Sequence, residues 1–223
     1  GQGGVYITSG ANPCVAAYGN ADYSNCIHPL GAKPFKGKVM AQADLRPPRL
    51  WTWETVRQAL VCLGDDNYLQ GARNATESFT KKRALAFGFG DAKGTADAKT
   101  GLYADVSVRY QDGADAKFSA VKVDVSHWYR FRAEIDTDAG TYALKVYDMG
   151  TDHPTSDSAD GSCVATVENA AFAADASEGL AAIALYSYGM ASVEPEKADD
   201  PGCALYDNLR VWKDPTGLSV IVR

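Results

Sequence analysis

The sequence predicts an all-β fold of two stacked antiparallel sheets, and three observations carry that expectation. Trp128 to Gly150 reads as two alternating apolar/polar runs flanking the turn Thr137-Asp138-Ala139-Gly140, the pattern of two antiparallel strands joined by a short loop. Runs of strand length recur along the chain with Gly, Asp, Asn, Pro and Ser between them. Helical periodicity is weak throughout, and only Trp53 to Leu60 and Asn169 to Ala176 suit short helices.

In chain order, residues 1–34 read as an irregular N-terminal segment. Strands are expected at Gly37 to Leu45, Thr55 to Leu63, Arg83 to Gly90, Leu102 to Gln111 and Lys117 to Asp124, then at Trp128 to Asp136, Tyr142 to Asp148, Cys163 to Glu168, Leu180 to Tyr188 and Ala204 to Lys213. Within the first arm of the central hairpin, Tyr129, Phe131, Ala133 and Ile135 point one way. Trp128, Arg130, Arg132, Glu134 and Asp136 point the other, which makes the first set core and the second a wet or ligand-binding face. The most polar long connection is Gly150 to Gly161, which contains Asp152, His153, Asp157 and Asp160.

With 223 residues, 46% of them hydrophobic, the chain can bury a substantial core as a single domain spanning 1–223. A formal charge of −6 argues against nucleic acid or an anionic membrane surface as the general partner, since both reward clustered Lys and Arg. No apolar run approaches the roughly 18 residues of a membrane span. The five cysteines form no close pairs of the kind a zinc site needs. Cys14 and Cys26 bracket a loop that a disulfide would restrain, Cys163 and Cys203 each open a late strand and could pair, and Cys62 lies in the apolar run Ala59 to Leu63 as a buried thiol. Two bridges would favour an extracytoplasmic protein; five reduced cysteines in a cytoplasmic one are the alternative.

Several chemistries are absent from the sequence. It holds no Walker loop, no G-x-S-x-G elbow and no H-E-x-x-H, and its three histidines, His28, His127 and His153, are far apart. The run His127-Trp128-Tyr129-Arg130-Phe131 with Glu134-Ile135-Asp136, the strand Tyr142 to Tyr147, the segment Gly179 to Tyr188 and the terminal Tyr206-Asp207-Asn208-Leu209-Arg210-Val211-Trp212 resemble, in that order, a concanavalin A-like lectin/glucanase jelly roll of the laminin-G-like kind. The resemblance covers Phe35 to Trp212. It implies a jelly-roll sandwich whose concave sheet binds or cleaves saccharides.

Retaining glucanases of this fold carry E-x-D-x-E or E-x-D-x-x-E on one strand, because one carboxylate attacks while another protonates the leaving oxygen. Glu134-Ile135-Asp136 begins that pattern, but Asp138 and Ala139 stand where the closing Glu belongs, so the acids read as a solvated hairpin end. A polysaccharide lyase would draw on Arg130, Arg132, Tyr186 and His127, although the lyase motifs R-T-E-x-R and Q-I-H are missing. Arginines on outward strand faces are otherwise solvated or paired across strands with acids such as Asp105 and Glu134.

Binding is the simpler expectation, because sugars are held by aromatic rings against their C–H faces and by planar polar groups on their hydroxyls. The expected carbohydrate-binding set is Trp51, Trp53, Arg109, Arg130, Arg132, Tyr186 and Tyr188, with the Trp and Tyr pairs each sharing a face if extended. The same rings could instead plug the sandwich edge or pack under a loop. Asp207 has the parity of Leu205, Leu209 and Val211 and so points coreward, where its charge needs a partner. In relatives with this terminal motif such an Asp helps hold a structural Ca²⁺; backbone N–H groups are the alternative. The function expected is therefore a non-catalytic carbohydrate-binding or adhesion-like module of an exported bacterial protein, within a polysaccharide-processing system, requiring no cofactor. A polysaccharide lyase or glycoside hydrolase on the same fold and a structural protein-interaction domain are the alternatives.

Overall fold

A computed structural model describes residues 24–47, 58–64, 83–91, 106–174, 176–188 and 205–213. These residues form eleven strands: β1 (Ser24–Pro29), β2 (Lys38–Arg46), β3 (Gln58–Gly64), β4 (Arg83–Asp91), β5 (Val106–Asp112), β6 (Asp115–Lys122), β7 (Trp128–Asp136), β8 (Thr141–Gly150), β9 (Ser162–Ala171), β10 (Ala182–Tyr188) and β11 (Leu205–Lys213). They pair antiparallel into a six-stranded sheet, β1-β10-β3-β4-β5-β6, and a five-stranded sheet, β11-β2-β7-β8-β9. Non-consecutive neighbours such as β11 beside β2 and β10 between β1 and β3 give the crossed-over order of a jelly roll.

Alternation decides which side chains lie between the sheets. Val39, Ala41, Ala43 and Leu45 of β2, and Tyr129, Phe131, Ala133 and Ile135 of β7, meet Val61 and Leu63 of β3, Leu85, Phe87 and Phe89 of β4 and Val108 of β5, all buried in one core. Phe131 stacks on Phe87 at 5.8 Å and meets Phe89 edge-on at 5.2 Å, so the central hairpin supplies the rings that lock the two sheets together. The hairpin end is built as its sequence suggests: Asp136 accepts hydrogen bonds from the Asp138 and Ala139 N–H groups, and Gly140 takes a positive φ of 67°.

Some sequence expectations require correction. The N-terminal segment is not irregular throughout, since Ser24–Pro29 pairs with β10 as the edge of the six-stranded sheet. Neither short helix forms among the described residues: Gln58 to Leu60 belong to β3, and Asn169 to Ala171 complete β9 against β8. Cys62 is a buried reduced thiol, whereas Cys163 is exposed and free, with its Sγ 3.6 Å from Ala165 O and Thr166 Oγ1. The expected Cys163–Cys203 bridge involves a residue outside the described ones. Cys203 and Cys14 lie outside the described residues.

Candidate functional site

The outer face of the five-stranded sheet is assembled from alternate residues, aligned by register into rows. One row runs Asp207, Asp44, Arg130, Tyr147; the next runs Arg210, Gln42, Arg132, Lys145, Thr166; a third runs Trp212, Met40, Glu134, Ala143. The first row is covered and the others are more open.

Arg130 carries that cover. Its Nε and Nη2 bond the two oxygens of Asp44 at 2.8 Å each, and Nη1 and Nη2 donate to Ser158 O at 2.8 Å and Thr155 O at 3.0 Å. The guanidinium thus fastens loop 151–161 onto the sheet. Asn208 Nδ2 adds bonds to Asp44 Oδ2 at 2.6 Å and Pro154 O at 3.0 Å, while His153 reaches Asp207 at 2.6 Å and lies edge-on to the Trp128 ring at 4.5 Å. Burial works against the Arg130 charge, but the hydrogen bond and charge of Asp44, joined by Asp160, outweigh it and hold its pKa above the ordinary value. Burial also pushes the Asp44 carboxyl upward, against the pull of Arg130 and Asn208.

This network corrects two expectations. Arg130 has the outward parity expected of it, yet its side chain is 0% exposed and cannot meet a glycan. Asp207 does not point into the core, because a bulge between Asp207 and Arg210, with Asn208 at φ 48°, shifts the parity of the strand; Tyr206, Leu209 and Val211 fill the core instead. The donor set does not fit calcium either. The Asp44 carboxylate and the 154, 155 and 158 carbonyls already accept from Arg130 and Asn208, and Asp207 accepts from His153 and from the Asn208 N–H.

Beyond Arg130 lies an open groove of about 280 Å³, lined by Arg132, Glu134, Lys145, Thr166, Glu168 and Asn169. Arg132 is positioned at its rim by Gln42 Oε1 at 3.0 Å and Asp160 Oδ2 at 2.6 Å, with its guanidinium carbon 6.0 Å from the Tyr147 ring centre. Lys145 faces Glu134 across the strands at 3.8 Å, and both side chains are at least half exposed. The groove therefore alternates cationic donors with carboxylate acceptors. Thr166 and Asn169 add neutral groups.

The expected binding set does not converge on one site. Arg132 and Arg130 stand on the five-stranded sheet, whereas Arg109, Tyr186 and Tyr188 stand on β5 and β10 of the six-stranded sheet. Arg109 is itself 7% exposed, on the far side of the core from Arg132, and its stem crosses Gly90. Trp51 and Trp53 lie outside the described residues. The lyase set is divided in the same way, since Tyr186 is on the opposite sheet and His127 is held by Asp148 at 2.9 Å at the start of β7. Gln42, Lys145, Asp160, Thr166, Arg210 and Trp212 were missed. The outward parity of the strand residues among them is readable, whereas Asp160 lies in a loop and the pairing of β2 with β11, strands from opposite ends of the chain, leaves no sequence signal.

By its strand order the chain is a two-sheet antiparallel jelly-roll sandwich. No family model and no curated protein matches it. Solved structures with a similar course of the backbone include a sialidase, at 13% identity and TM-score 0.45 over 87% of this chain and 14% of that one. The catalytic domain of a glycoside hydrolase family 131 protein from Coprinopsis cinerea aligns at 11% identity and TM-score 0.44, over 83% of this chain and 60% of that one. Scytalido-glutamic peptidase aligns at 12% identity and TM-score 0.43, over 90% and 83%. The chain thus spans a small part of the sialidase and three-fifths of the family 131 structure.

Proposed function

We propose that the chain is a concanavalin A-like, non-catalytic glycan-binding module that holds an oligosaccharide in the outer groove of the five-stranded sheet. The observation that carries this is the groove's lining: Arg132, Lys145 and Asn169 offer donors, Glu134 and Glu168 offer acceptors, and all lie along a trough of about 280 Å³. Sugar hydroxyls donate and accept at once, so a surface that interleaves both kinds of group suits them. That volume is near the lower end of small-ligand sites, enough for a ring or two of a longer chain. Glu134, 61% exposed beside Lys145, lacks the enclosed setting a general acid uses, which favours binding over hydrolysis. Glycan binding of this kind suits a module working outside the cytoplasm. A Cys14–Cys26 bridge would support export.

A glycan array of neutral and acidic oligosaccharides, followed by calorimetry and product analysis, tests the proposal. The expected result is a bound oligosaccharide that is recovered uncut, with binding weakened at least tenfold in both Arg132→Ala and Lys145→Ala. An array without signal, or cleavage of the bound chain, overturns it.

A further inference from the structure

Where the same outer face reaches its β11 edge, Arg210 and Trp212 stand outside the lining of the groove, beside Gln42. Arg210 pairs in register with Gln42, and Trp212, two residues on and therefore on the same face, pairs with Met40. Gln42 is 3% exposed; its Oε1 accepts from Arg132 Nε at 3.0 Å, which turns Nε2 away from Arg132, and Nε2 has no hydrogen-bond partner. Arg210 Nε is likewise buried without a partner, and among the described residues the Arg210 guanidinium makes no hydrogen bond or ion pair.

Four other cations on this face have partners among the described residues. Arg132 is paired with Asp160 at 2.6 Å, Lys145 faces Glu134 at 3.8 Å, Lys38 bonds Asp136, and Arg130 is enclosed by Asp44. Asp207, the acid nearest Arg210 along the strand, bonds His153 at 2.6 Å. A half-buried guanidinium that no acid among the described residues bonds, in a chain of net charge −6, is an arrangement that an anionic ligand would complete. Beside it the half-buried Trp212 ring makes no contact with another ring among the described residues, and its apolar face suits the C–H side of a pyranose.

We propose that Arg210 and Trp212 form an acidic-sugar subsite, continuous with the groove through Arg132, which takes the carboxylate of a uronic acid. The planar guanidinium of Arg210, half-buried and so in part open to solvent, matches the two oxygens of the carboxylate, and Trp212 supports the ring that carries the acid; Gln42, buried beneath them, holds Arg132 at the groove rim. Arg210, Gln42 and Arg132 occupy successive strands spaced roughly 4.8 Å apart, close to the length of one sugar unit. An acid at Arg210 therefore places the next units of the chain toward Arg132. The subsite rests on the glycan-binding reading and narrows it to acidic polymers.

Calorimetry with the whole chain tests it, using oligogalacturonate, oligomannuronate and oligoglucuronate of equal length, each with its methyl-esterified form, and a sulfated neutral oligosaccharide. At least one uronate is expected to bind tenfold or more tightly than its ester, to weaken as salt rises, and to lose that preference in Arg210→Gln, which keeps the stem. Trp212→Ala should weaken acid and ester alike. Far-ultraviolet circular dichroism and the melting temperature establish that both variants fold; if Arg210→Gln does not, the acid-to-ester ratio in the unaltered chain decides. Equal binding of acid and ester, with both lost in Arg132→Ala, overturns the subsite and leaves the groove reading standing. Preference for the sulfated sugar over every uronate overturns the carboxylate assignment, and no binding to any probe overturns subsite and groove together.

Discussion

Arg130 and Asp44 meet through two parallel hydrogen bonds of 2.8 Å, and neither side chain is exposed to solvent. The pair joins neighbouring strands β2 and β7 and, through Ser158 O and Thr155 O, ties the long loop 151–161 to the sheet. Removing one partner leaves the other charge buried and the loop carbonyls unmatched. Arg130→Ala is therefore expected to lower the unfolding free energy by about 3–5 kcal/mol in urea titration. Joint replacement by Asp44→Leu and Arg130→Met should cost much less than the two single changes added together, because no lone charge remains.

The same pair marks the limit of what the sequence could tell. Strict alternation from Trp128 to Asp136 made the hairpin and its core face legible, and Tyr129, Phe131, Ala133 and Ile135 are buried as expected. Parity gives the face of a side chain but not what lies over it. Loop 151–161, which encloses Arg130, comes from a distant part of the chain, so Arg130 read as surface. Asp207 misled for a local reason: the bulge at Asn208 reverses parity, and an Asn at positive φ within a strand gives only a faint signal in sequence. The edge strand SNCIHP has one strong β-former in six residues and no alternation, so β1 was invisible. The Arg210–Gln42–Arg132 row exists only after β2 has paired on both sides.

Gly88, in the middle of β4, is held in a conformation that other residues rarely adopt, with φ at 151°, and a Cβ there would lie 2.1 Å from Ala59 O. Because that contact is with backbone of the paired strand β3, no rotamer change relieves it. Gly88→Ala is expected to destabilise the fold by about 1–3 kcal/mol or more, read as a fall in the denaturant midpoint. Gly113→Ala makes the comparison: it also has a positive φ, of 58°, but nothing lies within 4 Å, so only conformational strain of about 1 kcal/mol is expected.

Cys163 and Cys62 should separate by reactivity. The exposed Cys163 thiol is expected to take up iodoacetamide in the native chain, whereas Cys62, buried against neighbouring strands, should label only after unfolding. Peptide mapping after native and denaturing treatment reads both positions. Protection of Cys163 that is released by a reductant would show that it is engaged in a bridge after all.

Tyr129 is 2% exposed, and burial, followed by the charges of Asp148 and Asp124, pushes its hydroxyl up to about 12, although the Asp124 N–H that it accepts pulls the other way. A group whose folded pKa lies above its unfolded value near 10 stabilises the fold fully below the unfolded value and loses that contribution as pH rises through the folded one. Stability should therefore fall between about pH 10 and pH 12, by about 2–3 kcal/mol from this residue. Tyr129→Phe should flatten that stretch of the stability–pH curve. It should also cost about 1 kcal/mol at neutral pH, because the Asp124 N–H loses its acceptor.

Asp136 behaves in the opposite sense at the other end of the pH scale. Its carboxylate accepts from Lys38 Nζ and from the N–H groups of Ala139 and Asp138 at 3.0 and 3.1 Å, and together these hold its pKa below the ordinary carboxylate range. A depressed folded pKa gives a contribution that is present above the unfolded value near 4 and is lost as pH falls through the folded one. The loss should thus be confined to acid below about pH 4. An NMR titration of the side-chain carboxyl should place the Asp136 midpoint below that of an exposed Asp in the same chain. Lys38→Ala should raise the midpoint, since Lys38 is the strongest of the three influences, without restoring it fully, because the two backbone donors of the turn remain. An unchanged midpoint in that variant would mean that the turn alone sets the acidity of Asp136.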